Sequence, residues 1–346
     1  MGVYHFAGLG KSIGAITSAL SYLGAIRQQG GEKAEALFSL SDEQDHADES
    51  RGMVQALVLF TTEEIARDHR SFFCEPYQDN RAGSDRDGRK KGENLTVKTA
   101  LYRVLGKELK GWGMIMPDKT TLDVYWCEHE RQRPLETFER TYTVLQAAKA
   151  MGEVGKECWI NLTGGSNVIN GALQLATSFL GTAARQYYVL SKNPSCIRHT
   201  VPIPDLGSEQ DDFWVNLPIV YTDFSSLHRT VLEELASWPN DSEHITHQRL
   251  HGQLCQYAEF YSLAGLKKEG DEIFRRTILQ PLRSQRLIEH FPSKQDKSLD
   301  RYKIGAAWEQ MEQYLAIIDK VGVTPYQSLS HIHEDWFRKE TIELEG

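Results

Sequence analysis

The amino-acid sequence predicts an α/β fold, in which a Rossmann-like, mainly parallel sheet is followed by a mostly helical domain. Two observations predict it. Over the first two hundred residues, apolar runs typical of buried strands alternate with helical patterns. After about residue 226 the pattern becomes mainly helical. With 346 residues, 40% of them hydrophobic, the chain is long enough to form two separate cores.

The strands of the first part are predicted from short apolar runs, and its helices from apolar residues that recur at helical spacing. A parallel sheet covered by helices on both faces needs strands that are apolar on both sides, and these runs have that composition. The predicted strands are 3–7, 54–60, 122–126, 158–162, 187–190 and 197–203, and the main helices between them are 12–23, 135–150 and 168–180.

The chain is expected to divide into four segments. Residues 1–203 form the α/β domain. Residues 204–226 contain prolines, a glycine and an acidic run, which favours a linker. Residues 227–320 form the second domain. Residues 321–346 are expected to be a C-terminal tail.

The second domain is predicted to be a winged helix-turn-helix. Three helical patterns are followed by two short strands around a polar turn and then by another helix. Helices, then a hairpin, then a helix is the order typical of that fold. The predicted helices are 227–237, 246–263, 270–282 and 305–318, and the predicted strands are 286–291 and 301–304.

Composition excludes several classes of protein. Asp and Glu number 48 against 39 Lys and Arg, a formal charge of −9, which is not the balance of a chain that coats nucleic acid throughout. No run approaches the about 18 apolar residues of a membrane span. The five cysteines are widely spaced without CxxC pairs, which favours a reducing cytoplasm and argues against a zinc site. We expect no metal and no cofactor.

The first candidate ligand-binding loop covers residues 8–12 (GLGKS), between the first predicted strand and the first predicted helix. It is not a Walker A motif, because His5 stands where that motif needs a glycine. It is not a dinucleotide GxGxxG motif either, because the third glycine is Gly14, one position late. A glycine turn lets the backbone approach a ligand, and a helix amino end attracts anions, although a turn without a ligand has the same pattern. The candidate residues are Gly8, Leu9, Gly10, Lys11 and Ser12.

The second loop covers residues 161–167 (NLTGGSN) and again follows a strand and precedes a helix. Ser166 or Asn167 could simply cap that helix. Both loops, however, lie at carboxyl ends of strands in one parallel sheet, which is where open α/β folds bind ligands. Their glycines and small hydroxyl side chains predict an anionic, phosphate-bearing ligand. The candidate residues here are Thr163, Gly164, Gly165, Ser166 and Asn167.

The NLTGGSN run after an apolar strand resembles the signature loop of CARF domains, the Rossmann-like sensors of type III CRISPR systems. Residues 8–12 match the glycine- and hydroxyl-rich first loop of that family, and the resemblance covers residues 1–203. A CARF domain followed by a winged helix also resembles standalone CRISPR ring nucleases and some CARF transcription regulators. One departure is Asn167, where many members carry lysine.

The resemblance implies a homodimer that binds cyclic oligoadenylate, most often cyclic tetra-adenylate, across its two-fold axis. A ribose 2′-hydroxyl of that ligand can attack its own phosphate, so cleavage needs no metal and no protein nucleophile. On this hypothesis Lys11, Ser12, Ser166 and Asn167 carry the chemistry. Gly8, Leu9, Gly10, Thr61, Thr163, Gly164, Gly165 and Glu128 would bind the ligand. Cleavage would switch off type III CRISPR signalling, whereas a pure sensor could use the same residues.

The winged helix suggests an alternative function, that of a ligand-gated transcription regulator. Residues 267–303 contain ten Lys or Arg against six Asp or Glu. Such a segment can contact DNA phosphates, although many winged helices serve only as dimerisation platforms. We expect at most weak DNA binding. The basic residues on or near the predicted recognition helix and wing are Arg275, Arg276, Arg283, Arg286, Lys294 and Lys297.

Two further patterns are weaker. Arg283 and His290 have the spacing of a HEPN ribonuclease motif, but HEPN domains are helical and His290 falls in a predicted strand. His244, His247 and His251 lie at helical spacing without a fourth ligand nearby, which favours a solvated or dimer-facing stripe over a metal site.

Overall fold

The fold is described from a computed structural model of the chain. It covers residues 2–38, 52–74, 95–130, 132–151, 157–189, 214–218, 226–238, 244–257 and 267–345. The chain divides into two compact units: Met1–Tyr221 together with Val321–Gly346, and Thr222–Lys320.

The first unit is built on a mainly parallel sheet, as predicted. Among the described residues its seven strands are β1 Val3–Gly8, β2 Val54–Thr61, β3 Thr121–Glu128, β4 Glu157–Asn161, β5 Ala183–Val189, β6 Trp214–Leu217 and β10 Phe337–Glu343. Their order in the sheet is β10-β3-β2-β1-β4-β5-β6. The central strands β3, β2, β1, β4 and β5 run parallel, and the two edge strands β10 and β6 run antiparallel to their neighbours.

The helices of this unit begin and end at residues with clear local signals. Thr96 caps the fourth helix by accepting from Thr99 N, and Pro134 opens the fifth. Gly181 ends the sixth in the left-handed conformation, with φ of 58°. The helices are α1 Gly14–Gln29, α2 Glu32–Phe38, α3 Glu63–Ala66, α4 Val97–Glu108, α5 Pro134–Ala150 and α6 Asn167–Leu180.

The segment predicted as a C-terminal tail contributes a strand to the sheet. Strand β10 pairs with seven of the eight residues of β3, from Phe337 opposite Cys127 to Glu343 opposite Thr121. Its Glu340 carboxylate forms an ion pair with Lys98 and accepts from Tyr102 Oη at 2.5 Å. The strand was not expected because its sequence, FRKETIE, is mostly charged, as edge strands often are.

Other expectations also differ from the structure or lie outside it. Strand β6 falls within residues 204–226, where the sequence predicts a linker. Its four residues are too few to produce a recognisable apolar pattern. The predicted strand 197–203 lies outside the described residues.

The second unit combines helices with a small antiparallel sheet. Its elements are α7 Ser226–Ala236, β7 Ile245–Thr246, α8 His247–Leu254, α9 Lys267–Phe274, a π turn Arg275–Leu279, α10 Gln280–Ser284, β8 Ile288–Phe291, β9 Arg301–Ile304 and α11 Trp308–Val323. The strand order in the sheet is β7-β9-β8, and β8 and β9 form the predicted hairpin. Helix α8 ends earlier than predicted, at Leu254.

Proline explains the π turn within the helical stretch that ends at Ser284. Pro281 has no N–H to donate to the carbonyl of Thr277, four residues earlier, and its ring would clash there. The helix widens instead, so that the N–H of Gln280 bonds to the carbonyl of Arg275. His228 Nε2 lies 3.3 Å from the Thr277 carbonyl oxygen and satisfies it. No helix in the described part of the chain is long and apolar enough to cross a membrane.

Candidate functional site

The two glycine loops lie side by side because β1 and β4 are neighbouring parallel strands. Phe6 is opposite Ile160 and Ala7 is opposite Asn161, so both strands end at the same level of the sheet. Helices α1 and α6 begin just beyond these loops. The structure therefore brings residues 8–12 and 161–167 together at the carboxyl edge of the sheet, where open α/β folds bind ligands.

Glycine is required where the two loops touch. A Cβ atom on Gly8 would lie 2.7 Å from the Cα of Gly165, and one on Gly164 would lie 2.5 Å from the carbonyl oxygen of Gly8. Gly165 also has φ of +82°, which favours glycine. Gly10 differs, because a Cβ atom there would meet nothing within 4 Å. Gly8, Gly164 and Gly165 thus set the distance between the loops, whereas Gly10 only keeps its own loop open.

A buried amide connects the second loop to the first helix. Asn161 is 2% exposed, and its Nδ2 donates to the carbonyl of Ala15 in α1 at 2.9 Å. Its Oδ1 accepts from the N–H of Thr163 at 2.9 Å. The Thr163 hydroxyl in turn accepts from the N–H of Val189 at 2.9 Å. These hydrogen bonds fix the part of the second loop that precedes its two glycines.

The first loop is held in a similar way from β2. Thr61 is fully buried and its Oγ1 donates to the carbonyl of Leu9 at 2.7 Å, while the N–H of Leu9 donates to the carbonyl of Phe60 at 2.8 Å. The Leu9 side chain is itself in the core. Thr61, Thr163 and Leu9 were predicted to bind the ligand. In the structure the hydroxyls of Thr61 and Thr163 and the main chain of Leu9 position the loop backbone.

The start of α6 offers main-chain donors. Ser166 caps the helix, since its Oγ accepts from the N–H of Ile169 at 3.3 Å. The capping interpretation of Ser166 is thus correct, and its hydroxyl proton is still available to a ligand oxygen. Gly165 and Asn167 are exposed. Among the hydrogen bonds of the described residues, none uses the N–H of Gly164, Gly165 or Ser166 as donor. These groups lie at the positive end of the helix dipole and suit an anion.

Lys11 adds a cation to the first loop. Its side chain is exposed, and its Nζ lies 5.5 Å from the centroid of the Phe72 ring. A cation held over an aromatic face has fewer positions open to it than a free lysine. Ser12 is half-buried at the entry to α1.

Glu128 is part of a different cluster at the end of β3. It is 5% exposed, and its carboxylate accepts from Arg67 Nε and Nη2, each at 3.1 Å, and pairs with Arg338 of β10. Arg140 donates to its carbonyl oxygen at 2.6 Å. The role of Glu128 seen here is to fix the C-terminal strand, which the sequence could not reveal because Arg67 and Arg338 are remote in the chain.

The cavity beside Glu128 has a volume of about 200 Å³ and more acidic than basic lining residues. Four carboxylates face two guanidinium groups there, so the cavity does not suit a polyanion. Its lining residues are Glu63, Arg67, Glu128, His129, Glu130, Arg140, Asp335 and Trp336.

Neither of the two weaker sequence patterns has the setting of the site it suggested. His290 lies in strand β8 and stacks on Tyr302 with ring centroids 5.0 Å apart, so it is not in the helical setting of a HEPN motif. His247 is buried and pairs with Asp271 through Nε2, and burial lowers the pKa of its imidazole. Within the described ranges, no group of three His, Cys, Asp or Glu side chains could hold a metal ion.

Two residues that position the glycine loops or the Lys11 side chain were not singled out from the sequence. Asn161 gave a weak signal, as a polar residue at the end of an apolar strand, but its partner Ala15 is far away in the chain. Phe72 gave none, because its relation to Lys11 depends on how α3 and the following turn return to the first loop.

Comparison with known proteins does not assign the chain to a family. No protein-family model matches the sequence. The chain is 27% identical over 207 residues to an uncharacterized protein of Archaeoglobus fulgidus, a match that covers 56% of this chain and 58% of that protein. It is also similar to Csm6 of Enterococcus italicus, solved bound to cyclic hexa-2′-fluoro-hexa-dAMP, with a TM-score of 0.33 and 10% identity over 83% of this chain and 55% of that chain. A likeness this distant is not evidence for a shared fold or function.

Proposed function

We propose that the two glycine loops bind cyclic oligoadenylate, with cyclic tetra-adenylate as the expected ligand. The observation that carries this proposal is the contact between Gly8 and the Gly164–Gly165 pair. It brings the starts of α1 and α6 together, so that main-chain donors from both loops can reach phosphates of one ligand. The resemblance of both loops to CARF domains supplies the class of ligand.

The ligand can be cleaved without a protein nucleophile. A ribose 2′-hydroxyl attacks the adjacent 3′-phosphorus, the bond from phosphorus to the 5′-oxygen breaks, and a 2′,3′-cyclic phosphate forms. The proton lost by the 2′-hydroxyl is balanced by the proton gained by the 5′-oxygen. The chain would need only to align these atoms and stabilise the phosphoryl oxygens.

The residues proposed for cleavage have distinct tasks. Lys11 and the N–H groups of Gly164 and Gly165 would stabilise charge on the phosphoryl oxygens. The hydroxyls of Ser12 and Ser166 would donate to the phosphate or orient the ribose. Asn167, exposed at the first residue of α6, is neutral, so Lys11 is the cation proposed to act in the loops.

The CARF resemblance also implies a homodimer that binds one ring across its axis. Light scattering measures the dimer, and calorimetry then gives the ligand stoichiometry, which should be one ring for two chains. Incubation with cyclic tetra-adenylate in the presence of EDTA, followed by chromatography, tests cleavage. The expected product is linear di-adenylate with a 2′,3′-cyclic phosphate. Binding without any product would support a sensor, and no binding would contradict the proposal.

A transcription regulator is the second candidate, and the second unit supplies a specific observation for it. The strand order β7-β9-β8, with helices before it and a hairpin at its end, is what a winged helix would have. A regulator would bind the promoter of a neighbouring operon with sequence preference, and cyclic oligoadenylate would change that affinity. A scaffold would bind duplex DNA weakly, and added salt would remove it.

A further inference from the structure

The second unit contains a surface cavity that the proposed function does not use. It has a volume of about 230 Å³ and lies between the helical stretch 275–283 and the hairpin β8–β9. We call it the hairpin cavity. Its lining residues are Arg275, Leu279, Gln280, Arg283, His290, Lys297, Asp300 and Tyr302.

One wall of the hairpin cavity is a fixed guanidinium group. Arg275 donates through Nε to Asp271 at 3.0 Å, through Nη1 to Asp300 at 2.8 Å and Tyr302 Oη at 3.4 Å, and through Nη2 to the carbonyl of Lys297 at 2.7 Å. These bonds use four of the five N–H groups of an arginine. Arg275 therefore holds a single orientation and has one donor left on Nη2.

The carboxylate in the cavity is already neutralised. Asp300 is 5% exposed, and its Oδ2 lies 2.8 Å from Arg275 Nη1 and 3.2 Å from His290 Nε2. Its Oδ1 accepts from the N–H of Ser293 at 2.8 Å. With these partners Asp300 does not present an unbalanced negative charge to a ligand.

Two further cations line the cavity from opposite sides. Arg283 comes from α10 and Lys297 from the turn between β8 and β9, and both are exposed. Neither forms an ion pair with another residue in the part of the chain that the structure describes. Arg275 is itself paired with Asp271 and Asp300, so the positive charge that the cavity offers to a ligand comes from Arg283 and Lys297. The π turn Arg275–Leu279 forms part of the same wall, and such turns are frequent at ligand sites.

We infer that the hairpin cavity binds a phosphate ester, with Arg283 and Lys297 as its charged contacts and Arg275 as a fixed donor. An arginine fork and a lysine on opposite sides suit an anion with several oxygens. The phosphate can belong to the backbone of a duplex or to a free nucleotide. This site is separate from the glycine loops, and its presence does not depend on the ligand proposed for them.

The test uses the full chain and the double variant Arg283→Gln/Lys297→Gln, with Lys303→Gln as the matched control. Lys303 is a cation of the same hairpin, but its Nζ lies 3.0 Å from Glu289 and it does not line the cavity. Labelled duplex DNA is titrated at a series of salt concentrations, and tripolyphosphate is titrated by calorimetry. Thermal unfolding verifies that the variants remain folded.

If the bound phosphate belongs to duplex DNA, the plot of log binding constant against log salt concentration should become shallower by about 2 in the double variant. The slope should stay unchanged in Lys303→Gln. For a free phosphate source, tripolyphosphate should bind the wild type and the control but not the double variant. Either result supports the cavity as a phosphate site. The inference is overturned if neither probe binds, or if the double variant binds both probes as the wild type does.

Discussion

Gly8 and Gly165 lie so close that a Cβ atom on either residue would stand 2.7 Å from the Cα of the other. Real Cβ atoms do not approach another backbone to this distance without displacing it. The contact joins the end of β1 to the loop before α6, and it is the point at which the two candidate ligand loops become a single surface.

Alanine at position 8 should disturb the site, and alanine at position 10 should not. Gly8→Ala places a methyl group against the backbone of residues 164–165, and overpacking of this kind costs about 1–3 kcal/mol. Gly10→Ala enters open space and should change the free energy of unfolding by less than about 0.5 kcal/mol. Urea unfolding of the two variants measures the difference. Equal effects in both would contradict the packing described here.

Loss of Lys11 should affect cleavage more than binding. Lys11→Ala should slow the cleavage of cyclic tetra-adenylate by roughly a hundredfold or more, comparable to the loss of one oxyanion donor. Affinity should fall less, because the main-chain donors of the loops remain. Single-turnover kinetics in EDTA separates the two effects. An unchanged rate would mean that another residue supplies the positive charge. Loss of cleavage by the wild type in EDTA would exclude the metal-free mechanism.

Asn161→Ala should destabilise the first unit, although Asn161 is not among the residues proposed to contact the ligand. The substitution leaves the carbonyl of Ala15 and the N–H of Thr163 without the partner they have in the core. Two such losses cost on the order of 3 kcal/mol. Asn167→Ala, at an exposed position six residues later in the same run, is the control and should shift the urea midpoint little. Similar midpoints for both variants would mean that the amide is not structural.

Stability should depend on the protonation of His5. This side chain is buried in β1, with Nδ1 3.4 Å from Tyr187 Oη, and burial lowers the pKa of its imidazole from 6.5 to about 4. The unfolded chain therefore binds the proton at higher pH than the folded chain. The contribution of His5 is complete above pH of about 6.5 and is lost as the pH falls towards 4, by about 3 kcal/mol in all.

Unfolding measured across this pH window tests the role of His5. His5→Gln should have a shallower dependence of stability on pH than the wild type, because the glutamine side chain does not titrate. A wild-type slope in His5→Gln would show that other groups dominate the pH dependence.

The sequence predicted the parallel core of the sheet and both loops because these features are local. An apolar run followed by glycines marks the end of β1 and of β4 without any distant partner. Strand β10 was not predicted, since its apolar positions are few and it is stabilised by Lys98 and Tyr102, more than two hundred residues earlier in the chain. The ion pairs of Glu128 were not predicted for the same reason, because Arg67 follows α3 and Arg338 lies in β10, both remote from Glu128 in the chain.

Two details of the second unit were not predicted, because hydrophobic periodicity gives no information about them. The predicted helix 270–282 is present, but Pro281 converts its middle into a π turn. The hairpin cavity depends on the chain reversal that places Lys297 opposite Arg283, and no spacing along the sequence indicates it.

The most direct test of the central claim is the affinity for cyclic tetra-adenylate of the pair Gly10→Asp and Gly10→Asn. Position 10 accepts a side chain without a clash and does not have a left-handed backbone, so both variants should fold. Gly165→Asp is less suitable, because it would also force the two loops apart. The two side chains have nearly the same shape, and only aspartate adds a charge. Calorimetry should give Gly10→Asn an affinity near that of the wild type and Gly10→Asp an affinity lower by on the order of a hundredfold, because the carboxylate repels the phosphates. Equal affinities in the two variants would contradict an anion site at the glycine loops.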